Sequence, residues 1–147
     1  MRFVPLTAEQ DRARLLAIAG QDMSVGYRAT LERELDDVAS GAALGICALD
    51  GTTPVGYAVY RQTVQTYHLD TIAVDRMRRG QGIGEGLLAS VRAALRPAAP
   101  AILNVVTDAT AFDALAFYRR CGFVIAGYVK DEFLRGVIQA HLTLEVS

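Results

Sequence analysis

Leu69-Asp70-Thr71-Ile72-Ala73-Val74-Asp75-Arg76-Met77-Arg78-Arg79-Gly80-Gln81-Gly82-Ile83-Gly84-Glu85-Gly86-Leu87-Leu88 decides the reading of this 147-residue chain. An apolar, β-branched run gives way to a basic, glycine-rich turn, which opens into a helical pattern. Ile83, Leu87, Val91 and Leu95 repeat every four residues, with Leu88 beside them, so one face of the predicted helix is apolar. Arg96-Pro97 ends it. The unit is a strand, a loop suited to an anion, and a helix.

The junction has the physics of a phosphate site. The first turn of a helix leaves backbone N–H groups without intrahelical partners, and the peptide dipoles place partial positive charge there. Glycines at 80, 82 and 84 remove side chains that would hold an anion away from those donors. Arg76, Arg78 and Arg79 add fixed charge at the same end, so a diphosphate suits the loop. A dinucleotide fingerprint, G-x-G-x-x-G, fails in both registers, since its last position falls on Glu85 or Leu87. A P-loop fails too, because the single lysine, Lys130, is remote. A plain connecting turn explains the glycines poorly, since Gly86 inside the helix costs about 1 kcal/mol relative to alanine.

What remains is Arg79-x-x-Gly82-x-Gly84 directly after a strand, and here the chain resembles the GNAT superfamily of acyl-CoA-dependent N-acetyltransferases. That family's pyrophosphate loop reads [Q/R]-x-x-G-x-[G/A] after a strand ending in A-V. The matching residues are Ile72-Ala73-Val74-Asp75 and Arg79-Gly80-Gln81-Gly82-Ile83-Gly84. The resemblance implies that the loop through Glu85 holds the pyrophosphate of acetyl-CoA. It also implies that Ile72, Ala73 and Val74 offer a backbone rail to the acyl-CoA arm.

The rest of the chain is consistent with one domain, residues 1–147. Hydrophobic residues make up 52%, which suits a compact globule rather than a disordered segment. No apolar run approaches the roughly 20 residues of a membrane span. Met1-Arg2-Phe3-Val4-Pro5 lacks a signal-peptide core, so the expectation is a soluble, cytoplasmic protein. A net charge of −1 argues against broad capture of nucleic acid. Cys47, Cys121, His68 and His141 have no metal-ligand spacing, so no metal is expected.

In order, Arg2 to Leu6 reads as a strand, and Thr7 with Gln10 as the capping box of a helix from Ala8 to Ala19. A loop from Gln21 to Gly26 leads to a second helix, Tyr27 to Ala39, with Leu31, Leu35 and Val38 at helical spacing. Ala43 to Leu49 and Val55 to Arg61 form a hairpin around Asp50-Gly51-Thr52-Thr53-Pro54. Gln65 to Val74 is the central strand, and Ala101 to Val106 follows its helix as a parallel partner. A helix from Ala109 to Cys121 carries Phe112, Leu115 and Tyr118 on its apolar side, and strands Phe123 to Lys130 and Gly136 to Val146 close the chain. The order βααβββαβαββ is that of the GNAT fold. The expected class is therefore α/β (α+β): a mixed, mostly antiparallel twisted sheet of seven strands with one parallel βαβ pair and four helices.

Ala114-Leu115-Ala116-Phe117-Tyr118-Arg119-Arg120-Cys121-Gly122-Phe123 resembles the second GNAT signature, A-x-x-[LF]-Y-x-x-x-G-F. The family's asparagine seven residues before the tyrosine is Ala111 here; Asn104, in the preceding strand, is either its replacement as a cofactor contact or a satisfied amide. Amide formation from a thioester needs an acceptor that loses a proton, a polarised carbonyl and a proton for the thiolate. Strand N–H groups serve the carbonyl. Tyr118 is the candidate acid, since a phenol near pKa 10 and a thiol near 8.5 lie close; its alternative is a core aromatic. His68 and Asp70 share a strand face and form the candidate basic pair, or an exposed polar face. Some GNAT enzymes carry a base on this strand. Asp75 reads as a cap or turn residue.

The leading expectation is acetyl transfer from acetyl-CoA, as co-substrate, to a primary amine by direct attack in a ternary complex. The alternative is a non-catalytic CoA-binding module. In this fold the acceptor is held by Gln21 to Tyr27 and Asp131 to Arg135. The apolar last strand is available for pairing across a homodimer.

Overall fold

A computed structural model describes residues 1–22 and 27–147. The elements are β1 (Arg2–Pro5), α1 (Arg12–Gly20), α2 (Arg28–Ser40), β2 (Leu44–Asp50), β3 (Thr53–Gln62), β4 (Tyr67–Val74), α3 (Ile83–Leu95), β5 (Ala101–Asp108), α4 (Phe112–Arg120), β6 (Val124–Lys130) and β7 (Ile138–Val146). The strands hydrogen-bond in the order β1-β2-β3-β4-β5-β7-β6. Strands β4 and β5 are the expected parallel pair, and β1–β2, β2–β3, β5–β7 and β6–β7 are antiparallel. Two compact units make up the chain: Met1–Gln62 with Leu69–Ala94, and Thr63–His68 with Leu95–Ser147.

In the first unit, α1 and α2 bury their apolar stripes on the sheet. Leu15, Leu16 and Ala19 of α1 and Leu31 and Leu35 of α2 pack with Leu6, Ala43, Cys47, Tyr57 and Val59. Each buried leucine contributes about 1.5–3 kcal/mol against exposure. Strand β3 is buried without interruption from Pro54 to Tyr60, as a strand covered on both faces must be.

Helix α1 starts later than its capping-box signature predicts. Half of the box forms: Thr7 N–H donates to Gln10 Oε1, whereas Thr7 Oγ1 accepts from Glu9 N–H at 3.2 Å and Gln10 N–H turns to Thr7 O at 3.4 Å. They close an isolated turn, and the helix begins at Arg12, where Asp11 caps Arg14 N–H at 3.1 Å. Thr7 and Asp11, four residues apart, can both cap, and the one nearer the apolar stripe starts the helix. Of the expected loop Gln21 to Gly26, residues 23–26 lie outside the described residues.

Helix α3 buries the stripe read from the sequence: Ile83, Leu87, Leu88, Val91 and Leu95. Gly86 has a different reason from the one expected. A Cβ there would stand 2.2 Å from the ring of Phe3, so this glycine admits β1's aromatic ring against the helix. Packing, not a ligand, accounts for it.

In the second unit, β7 pairs along its length with β5, from Ala101↔Val146 to Asp108↔Gln139, and on its other side with β6. Both edges of β7 are therefore occupied, which removes it as the strand that would pair across a homodimer. Helix α4 begins at Phe112 rather than Ala109, because Asp108 Oδ1 accepts from Thr110 N–H and Oγ1–H at 2.8 and 2.7 Å and holds the chain in a turn. Phe112 is consequently exposed, at 73%, and Tyr118 is the buried residue of the helix. Of the expected apolar side, Tyr118 is buried and Leu115 half-buried, and Phe112 alone falls outside it. The other boundaries move by two residues or fewer.

Candidate active site

The glycine loop lies in the first unit and is held at its root by Asp75. That carboxylate is buried, accepts from Met77 N–H at 3.1 Å and from Gln21 Nε2 at 3.3 Å, and pairs with Arg14. Its own N–H donates to Val55 O at 2.8 Å. The Met77 amide, with Gln21 and Arg14 behind it, holds the Asp75 carboxyl below the usual carboxylate range despite burial. Asp75 is an anchor, as its position suggested.

Beyond it the chain makes one tight turn, Arg76–Arg78, and runs extended at Arg79. Gly80 and Gly82 then take left-handed conformations, with φ of 77° and 80°, and α3 begins at Ile83. A Cβ at either glycine would meet nothing within 4 Å, so the approach to this backbone is open. Gly82 O receives Gly86 N–H at 3.0 Å. The Ile83 side chain is buried, so it can serve a ligand only through its amide. Gly80, Gln81 and Glu85 are exposed and Gly84 half-buried.

The arginines are not the unopposed cations that the sequence suggested. Arg76 donates to Gln21 O at 2.5 Å and to Asp22 Oδ1 at 3.3 Å. Arg79 also pairs with Asp22 and reaches Val74 O at 3.4 Å, while Arg78 pairs with Asp50 at 2.8 Å. Burial pulls the Asp22 carboxyl upward, but bonds and charge from Arg79 and then Arg76 leave it below its ordinary value. Three guanidiniums facing two carboxylates leave a surplus of one positive charge, and backbone N–H groups carry the rest of the anion recognition.

Along β4, Leu69 and Thr71 are buried and His68, Asp70, Ile72 and Val74 half-buried. Ala73 packs against the first unit's core. The parallel register with β5 covers Tyr67↔Leu103 and His68↔Asn104. Asp70 accepts from Arg61 Nε at 2.6 Å, and the same guanidinium reaches Asp37 of α2 at 3.0 Å. The carboxylate of the expected base is therefore already tied to a cation.

The adjoining Thr71 exposes what the sequence reading missed. Its hydroxyl donates to Glu34 Oε1 of α2 at 2.5 Å. Burial first, opposed by Thr71 and aided by the charge of Asp70, pushes the Glu34 carboxyl up to about 7. Nearby Tyr57, fully buried, has a hydroxyl with no hydrogen-bond partner among the described residues. Burial and then the Glu34 charge push its phenol well above 10. A signal existed in the sequence: Glu34 falls on the same helical stripe as Leu31, Leu35 and Val38, where a carboxylate has no packing reason to be.

In the second unit, Tyr118 is buried and meets Phe117 and Phe123 edge-on, with ring centroids 5.3 and 5.4 Å apart. Burial, with the charge of Cys121, pushes its phenol up to about 12, which keeps the proton in place at neutral pH and widens the gap to a thiol at about 8.5 that the sequence reading takes as close. Asn104 Nδ2 donates to Thr66 Oγ1 at 3.4 Å. Ala111 caps α4 without a side-chain bond. Among the described residues no group of three metal-ligating side chains occurs.

The GNAT acetyltransferase domain model matches residues 42–125, which takes in the glycine loop and the whole of α4's signature. The chain belongs to the GNAT acetyltransferase family. Among curated relatives, peptidyl-lysine N-acetyltransferase YjaB of Salmonella typhimurium is 34% identical over 105 residues, 71% of this chain and 66% of that protein. The chain thus spans a little under two thirds of that relative's length. A GNAT-family acetyltransferase structure from Desulfovibrio desulfuricans superposes with a TM-score of 0.88 at 24% identity, covering 99% of both chains. A GNAT acetyltransferase from Elizabethkingia anophelis, with acetyl-CoA bound, superposes with a TM-score of 0.76 at 22% identity, covering 98% of this chain and 97% of that one. At these identities the structures establish the fold. No helix among the described residues is long and apolar enough to cross a membrane.

Proposed function

We propose that this chain, working as one domain in the cytoplasm, is an N-acetyltransferase that moves the acetyl group of acetyl-CoA to a primary amine by direct attack in a ternary complex. The observation that carries the reading is the loop of two left-handed glycines, open to approach, that feeds backbone N–H groups into the start of α3. Family membership and the acetyl-CoA bound to the Elizabethkingia neighbour support it.

Each residue has a defined task in this reading. The amides from Gly80 to Glu85 bind the pyrophosphate, aided by the charge surplus at Arg76, Arg78 and Arg79. The backbone of Ile72, Ala73 and Val74 pairs with the pantetheine arm and polarises the thioester carbonyl. Asn104 contributes a polar contact to the same arm. The Tyr118 phenol, kept protonated by its burial, gives its proton to the departing thiolate. His68 and Asp70 orient the acceptor, with Asp70 fixed by Arg61. A homodimer, in this reading, joins at an edge strand, β1 or β6.

The test is thiol release from acetyl-CoA across a panel of lysyl peptides, amino-terminal peptides, amino sugars and polyamines, with calorimetry of CoA alongside. Transfer to at least one amine class is expected. CoA binding without transfer to any amine would establish the non-catalytic module instead, and absence of CoA binding would remove both.

A further inference from the structure

Glu34 is the unexplained ionisable group of the first unit. Asp22, Asp50, Asp75, Asp37 and Asp70 each face a guanidinium. Glu34 faces a neutral hydroxyl, that of Thr71, at 2.5 Å, which is its one hydrogen-bond donor among the described residues. Beside it the buried Tyr57 hydroxyl is unpartnered among the described residues. A buried phenol ordinarily finds a partner, and leaving one unmade costs about 1–3 kcal/mol. A half-buried carboxylate with no ion-pair contact among the described residues, and beside it an orphaned hydroxyl, point to the same ligand chemistry, a small donor carrying positive charge.

We propose that Glu34 is the general base of the reaction: it receives the ammonium proton of a cationic primary amine brought against the half-buried Glu34 and its partner Thr71. The proposal rests on the acetyl-transfer reading above. The groups that set the charge of Glu34 come from every neighbouring element: Thr71 and Asp70 from β4, Arg61 and Tyr57 from β3, and Asp37 from α2 itself. Arg61, clamped between Asp70 and Asp37, offsets one of their two charges, and the charge left over adds to burial in making Glu34 hold a proton near neutral pH. A base poised near the working pH is the efficient one.

The step balances. The carboxylate takes one proton from R–NH3+, and the free amine attacks the thioester carbonyl. The N–C bond forms and the C–S bond breaks. The thiolate takes the Tyr118 proton, the second N–H proton restores the phenol through solvent, and Glu34 releases its proton to water. The net products are the amide, CoA thiol and one proton.

The experiment uses the full chain and the best amine from the panel. Glu34→Gln keeps size and can still accept from Thr71. Its kcat/KM is expected to fall on the order of 10²-fold, with CoA affinity within about 2-fold of wild type. The rising limb near pH 7 in the wild-type profile should vanish, and Glu34→Asp should restore part of the rate. A limb that persists in Glu34→Gln but vanishes in His68→Ala would overturn the proposal and place the base on β4. Independently of turnover, 13C-carboxyl NMR of Glu34 should show a lowered titration midpoint in n-butylammonium and not in n-butanol; identical titrations would overturn it. If no amine is acetylated, the functional reading fails, and the NMR result still decides the fate of Glu34.

Discussion

The glycine loop and the Glu34 cluster, both in the first unit, treat charge in opposite ways. Around the loop, Arg14, Arg76, Arg78 and Arg79 are each matched by Asp75, Asp22 or Asp50. At Glu34 the carboxylate's hydrogen-bond donor among the described residues is a neutral hydroxyl, not a guanidinium. The consequence for pH follows from linkage. Asp22 and Asp75 titrate below their ordinary values, so the stability they contribute is present above those values and is lost as pH falls through the folded-state values. Glu34 titrates above its ordinary value of 4.5, so its contribution is present below about 4.5 and is lost as pH rises through about 7. Charges that hold a loop are settled within the protein, whereas a charge kept at a cost is held for something else. On the proposal above, the surplus at Glu34 is the functional signal, whereas most of the charge at Arg76 to Arg79 is paired within the protein.

The largest expected effect strikes the loop. Gly82→Asp places a carboxylate on a backbone that otherwise offers bare N–H groups, and CoA affinity should fall by more than about 100-fold. Because φ is +80° there, Gly82→Asn is the matched control: asparagine tolerates the left-handed region and carries no charge. A much smaller loss in Asn than in Asp assigns the effect to charge against a phosphate. Equal losses measured by calorimetry would mean that strain alone closes the site. Next comes Tyr118→Phe, which keeps the ring contacts with Phe117 and Phe123 and removes only the proton. It should lower kcat roughly 10- to 100-fold with CoA affinity unchanged; wild-type turnover would dismiss Tyr118 as the acid.

A smaller effect tests the balance of charge itself. Asp22→Asn frees Arg76 and Arg79 from their shared partner. Exposed pairs are worth about 0.2–1 kcal/mol, so CoA binding should tighten by about 2- to 5-fold at low salt and the gain should fade as salt is added. Weaker binding would show that Asp22 holds the guanidiniums where the anion needs them, and the contrast between the two regions would reverse.

The sequence showed most of what is periodic or local. Ile83, Leu87, Val91 and Leu95 are visible as a helix face because their spacing is the structure, and Gly80 and Gly82 are visible because glycine is the residue that takes that backbone at least cost. What was hidden depends on partners distant in the chain. Arg79 and Asp22 stand 57 residues apart, and Thr71 and Glu34 stand 37 apart, so neither pairing has a local signature. The start of α1 was misplaced for a different reason: Thr7 and Asp11 both cap, and the choice is made by where Leu15 and Leu16 must land in the core. Glu34 alone left a trace, as a charged residue on an apolar stripe, and that kind of misfit deserves the weight that an arginine run usually receives.

Gly86 gives the smallest effect and the cleanest separation of ligand from packing within one helix. Replacing a helix-interior glycine by alanine stabilises by about 0.5–1 kcal/mol where nothing obstructs the methyl. Here the methyl meets the far end of the Phe3 ring, which is partly exposed and free to swing, so the gain is offset by lost contact between β1 and α3. Gly86→Ala should therefore lie within about 1 kcal/mol of wild type, and the same change in a Phe3→Ala background should stabilise by close to the full propensity difference. Urea unfolding of the four proteins of the cycle measures the coupling. CoA affinity should not change in any of them. A loss of affinity in Gly86→Ala without coupling to Phe3 would return this glycine to the anion site, and would extend the ligand-facing backbone one turn further into α3 than the open approach at Gly80 and Gly82 requires.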